Sequence, residues 1–72
     1  MPTQIFVLTQ QLQNHVLERT NRGVWNLAIE VFPERVVLRG NTKTYYAKQL
    51  AQESVRNILP EMMLENAIQV AA

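Results

Sequence analysis

Four basic side chains, Arg35, Arg39, Lys43 and Lys48, fall within residues 35–48, and no acid interrupts them. That stretch carries a local charge of +4, against −3 for the remainder and +1 for the whole chain. With Tyr45 and Tyr46 alongside, it has the groups needed to meet phosphates of a lipid surface or a nucleic acid. The competing use is structural. In an antiparallel hairpin that sets Glu30 opposite Val37, Arg35 and Arg39 become diagonal neighbours of Glu30 and can form ordinary cross-strand ion pairs. Exposed pairs of that kind contribute only about 0–1 kcal/mol.

Catalytic chemistry finds little to work with. Cysteine and aspartate are absent, Ser54 is the only serine and His15 the only histidine. Ser54 falls on the apolar stripe of a helix, where packing is its expected role. A lone histidine lacks the partners for a metal site or a proton relay. The six glutamates are scattered, and the two glycines, Gly23 and Gly40, stand singly, so no phosphate-cradling loop is present. No catalytic residue, metal ligand or cofactor is expected, and no small-molecule substrate follows from these residues.

The apolar residues give a second kind of signal. No charged side chain occurs before Glu18, and Ile5, Phe6, Val7 and Leu8 stand in succession. Four consecutive helical residues cannot all face one core. Phe6 is therefore a candidate contact residue, as is Phe32, which the strand pattern turns outward. Uncharged, exposed apolar groups point to a partner chain, a second copy or a lipid surface.

These residues must be held by a small number of elements. Ile5, Leu8, Leu12 and Val16 recur at helical spacing and predict a helix over 3–20, with Pro2 and Thr3 at its start and Asn21 or Gly23 turning its end. Trp25, Leu27, Ile29 and Val31 alternate with their neighbours and predict a strand with one buried face. Val36 and Leu38 resume the alternation after Pro33-Glu34, with Arg35, Val37 and Arg39 outward and an end at Gly40-Asn41. Pairing Val31 with Val36 puts Ile29 opposite Leu38, so the apolar faces coincide. Proline's fixed φ excludes the primed two-residue turns, and a four-residue loop containing a type I turn is expected.

A second helix is predicted over 44–59, with Ala47, Leu50, Ala51, Ser54, Val55 and Ile58 on one stripe. Thr44 or Thr42 caps it, and Pro60 stops it. One of Tyr45 and Tyr46 should cover the core edge while the other is exposed. A last strand, about 64–70, carries Leu64, Ile68 and Val70 on one face with Asn66 between them. Met62 and Met63 are candidate gap-fillers beside it.

Three blocks in this order carry a resemblance. Val36-Val37-Leu38-Arg39-Gly40, then Lys48-Gln49-Leu50-Ala51, then Asn66-Ala67-Ile68-Gln69-Val70 resemble the BON domain of bacterial envelope and osmotic-stress proteins. That family's pattern is a hairpin with V-x-L-x-G in its second strand, a helix with an Ala-rich inner face and a closing N-x-I-x-V strand. The match spans roughly 24–70. Two departures fall in turns: Pro33-Glu34 and Leu59-Pro60-Glu61 stand where many family members have glycine. The resemblance implies a non-catalytic binding module, and many members are exported and bind anionic phospholipid or membrane-associated partners.

The fold expected is α+β, an α-β-β-α-β two-layer sandwich in which a three-stranded mixed sheet of order 1-2-3 carries both helices on one face. An all-antiparallel order 2-1-3 is the alternative. With 72 residues, 47% hydrophobic and 18% charged, the whole chain, 1–72, forms one globular domain. No signal peptide or membrane span is visible, so a cytoplasmic location is expected. The leading function is protein interaction or self-association, and the alternative is anionic phospholipid binding. Candidate binding residues are Phe6, Phe32, Arg35, Arg39, Lys43, Tyr45 and Lys48. A nucleic-acid partner is not expected, because the charge is low and no G-x-x-G clamp is present.

Overall fold

A computed structural model describes the backbone of residues 2–71 and the side chains of residues 6–71. Its elements run α1 (Pro2–Arg19), β1 (Val24–Val31), β2 (Arg35–Thr42), α2 (Tyr45–Ile58) and β3 (Met63–Val70). The sheet has the order β1-β2-β3, with β1 antiparallel and β3 parallel to β2. This is the mixed arrangement; the 2-1-3 alternative is not adopted. Helix α1 packs on β1, α2 packs on β2 and β3, and the helices pack on each other, so both occupy one face.

The core lies between those layers. Leu12 and Val16 from α1 meet Ile29, Val36, Leu38 and Ile68 from the sheet and Ala51 and Val55 from α2. Val31 pairs with Val36 and Ile29 with Leu38, the register that the apolar alternation requires. Ser54 is fully buried, and its hydroxyl donates to Leu50 O at 2.7 Å. Thr44 is the cap of α2, its Oγ1 accepting from Ala47 N at 3.1 Å. Ile5 and Thr3 lie outside the residues whose side chains are described.

The end of α1 is a Schellman turn. Arg22 N–H donates to Leu17 O at 2.7 Å and Asn21 N–H to Glu18 O at 3.1 Å. Asn21 (φ 54°) takes the left-handed conformation, followed by Arg22 (φ 59°) rather than Gly23. Gly23 serves close approach instead, since a Cβ there would stand 2.9 Å from Thr20 O. The turn is tied to the sheet by Thr42, whose Oγ1 donates to Gly23 O at 2.7 Å.

The alternation breaks in β1. Trp25 pairs with Asn41 but Ala28 with Arg39, so Asn26 and Leu27 together oppose Gly40. This is a β-bulge, with Asn26 in the left-handed conformation at φ 55°. The extra residue reverses the parity. Val24 is buried, whereas Trp25, expected on the inward face, is 42% exposed. Gly40 is the partner the bulge needs, because a Cβ there would lie 3.1 Å from Trp25 O and 3.3 Å from Leu27 Cα. On the α1 side, Gln13 Nε2 donates to Leu27 O at 3.0 Å.

The hairpin loop has the expected four residues, Phe32–Arg35, between the paired Val31 and Val36, and Phe32 N–H donates to Arg35 O at 2.8 Å. Other expectations are revised by local physics. β2 continues past Gly40 to Thr42, held by β3 on its other side. Val37 is buried although it faces away from the helices, since a central-strand residue has neighbours on both sides, here Glu30 and Glu65. Met62 packs partly against the core, but Met63 is largely exposed.

Asn66 occupies an inward position of β3 for a polar reason. Its Nδ2 donates to Lys48 O at 3.0 Å and to Gln52 Oε1 at 3.3 Å, while its Oδ1 accepts from Ile68 N at 3.2 Å. One amide thus joins β3 to α2 and satisfies an N–H on the strand's free edge. Asn66→Ala should lower stability by about 1–3 kcal/mol, the cost of leaving such groups unpaired, as measured by urea denaturation. Gly40→Ala should cost about 1–3 kcal/mol by overpacking the bulge, read from the same transition midpoint. A neutral Gly40→Ala would contradict the bulge geometry.

Candidate functional site

The basic residues of 35–48 do not assemble into one patch. β2 is eight residues long, about 25 Å at strand rise, with Arg35 at its start and Lys43 just past its end. Arg39 lies between them on the face without helices, where its Nε is 3.0 Å from Glu30 Oε1. Arg35, expected to share Glu30, instead places its guanidinium 4.8 Å from the centre of the Phe32 ring, a cation–π contact. Lys48 belongs to α2, in the helical layer. The hairpin therefore neutralises one of the four cations and occupies another, and the rest lie on separate elements.

Apolar exposure gathers at one end of the molecule. A four-residue turn between α1 and β1 forces the two to run antiparallel. An 18-residue helix and an eight-residue strand both span about 27 Å, so the first turns of α1 come level with the hairpin tip. Phe6 (63% exposed) and Val7 stand there with Phe32 and with Met63 at the start of β3. The same end carries Glu34 and Arg35 from the hairpin and Glu61 from the turn after α2.

The opposite end differs in chemistry. The turn after α1, the end of β2 and the start of α2 enclose a groove of about 570 Å³. Its walls include Arg19, Trp25, Thr42, Lys43, Tyr46 and Leu50, and no acidic side chain lines it. Tyr45 and Tyr46 are both exposed, so neither covers the core edge. The reason is their place in the first turn of α2, ahead of its inner stripe, which begins at Ala47. Arg19, Trp25 and Tyr46 were not among the seven candidate binding residues, although Tyr46 stood out beside the basic stretch. They come from three elements, and only the bulge at Asn26 turns Trp25 outward.

His15 is half-buried on α1, and its Nε2 is enclosed with no hydrogen-bond partner among the described residues. Among those residues, no three of His, Cys, Asp or Glu are grouped to hold a metal ion. No described helix is long and apolar enough to cross a membrane. No protein-family model, curated protein or solved structure matches this chain.

Proposed function

We propose that this chain is a non-catalytic, BON-like binding module that associates with a second copy of itself through the end bearing Phe6, Val7, Phe32 and Met63. The observation that carries this reading is the exposure of those four apolar side chains at one end. Burying them between copies would remove apolar surface from water, the main driving force of association. Helix α1 has no charged side chain before Glu18, so a second α1 brought against it meets no like charge. Arg35, Glu34 and Glu61 stand at the same end, and a two-fold contact can set the arginine of one copy against a glutamate of the other.

The anionic-phospholipid alternative, through Arg35, Arg39, Lys43 and Lys48, loses its motivating feature once those cations are dispersed. Light scattering across a concentration series should show the mass rising from 8.3 kDa towards twice that value. Phe6→Ser combined with Phe32→Ser should return the chain to monomer with stability changed by no more than about 1 kcal/mol, as both side chains are exposed. A constant monomer mass would sink self-association. Salt-sensitive co-sedimentation with anionic vesicles would favour the alternative instead.

A further inference from the structure

We infer that the groove at the end opposite the apolar surface binds a small phosphate-bearing molecule with a flat ring, of mononucleotide size. Two kinds of group converge there. Arg19 and Lys43 line the groove, and neither has an ion-pair partner among the described residues. No acid shares the lining; Glu18, the nearest in sequence, lines a separate hollow with Asn14 and Arg22. Unneutralised cations in the lining select an anion, and an arginine fork suits the paired oxygens of a phosphate.

The rings supply the second half of the recognition. Trp25 and Tyr46 both line the groove, and both residues are exposed. A tryptophan and a tyrosine in one lining give a planar ring something to stack on, an interaction worth a substantial share of affinity in single-base recognition. The size fits as well, since small-ligand sites commonly enclose roughly 300–1,000 Å³, and this groove encloses about 570 Å³. Its walls are held in place: Thr42 is bonded to Gly23 O, Thr20 to Val16 O, and Thr44 to Ala47 N. Such fixed walls reduce the ordering cost of binding. The low net charge argues against a long polyanion, and a single nucleotide needs only the two local cations.

Trp25 is the only tryptophan, so its indole N–H gives a single nuclear-magnetic-resonance signal from a residue that lines the groove. Titration of the full chain with AMP should move that signal saturably, and ribose phosphate, adenosine and inorganic phosphate should each bind about tenfold or more weakly. Arg19→Gln with Lys43→Gln should weaken AMP binding about tenfold or more, as expected for losing charge-assisted hydrogen bonds. Tyr46→Ala should reduce AMP to the level of ribose phosphate. All three residues are exposed, and circular dichroism confirms folding of each variant. The proposal is overturned by an unmoved indole signal, by equal binding of ribose phosphate, or by undiminished AMP binding in the charge variant. A short single strand with a terminal phosphate presents the same chemistry; tighter binding than AMP would assign the groove to strand ends, and equal or weaker binding to free nucleotide.

Discussion

The pairing of β2 on both its edges holds this molecule together. Val36 and Leu38 are completely buried on the helix side of that strand, and Val37 is buried on the other. β1 reaches β2 through a tight reversal, and β3 reaches it only after the chain has passed through α2. Each helix can then bury its apolar stripe only against the strands that β2 aligns. In so small a domain no second core can compensate for a fault there.

Matched element lengths have a consequence for surface chemistry. Because α1 and β1 span nearly equal distances, chain reversals collect at two ends rather than along the sides. One end gathers the start of α1, the hairpin tip and the turn before β3, with apolar and mixed-charge side chains. The other gathers the turn after α1 and the turn between β2 and α2, with cations and aromatic rings. The helix-free sheet face between them bears Glu30, Arg35, Arg39 and Glu65, and among the described residues its one ion pair is Arg39–Glu30. That pair is exposed on both sides and contributes little, about 0–1 kcal/mol.

Much of the architecture was legible because it rests on periodicity. Leu12 and Val16, Ile29 and Leu38, and Ala47, Ala51 and Val55 announce their buried faces by spacing alone. The hairpin register followed from making two apolar faces coincide. Trp25 was misplaced because a single left-handed residue at Asn26 shifts parity, and an asparagine between two apolar residues reads equally well as an outward strand position. The purpose of Asn66 was likewise hidden. A polar residue inside a strand pattern shows nothing of the helix carbonyl it will meet.

The candidate binding residues were harder to read, for a related reason. Phe6 was recoverable, because four adjacent apolar residues overfill any single helix face, and Phe32 because it follows the outward parity. Local order therefore settled which segments become helix or strand and which faces they bury, since these follow from the geometry of neighbouring residues. Distances between segments settled the rest. Arg35 and Lys43 are near in sequence yet separated by the length of an extended strand, while Arg19, Trp25, Lys43 and Tyr46 are scattered in sequence yet meet where three elements turn. Proximity of that kind arises from packing, which brings ends together according to how far each element reaches.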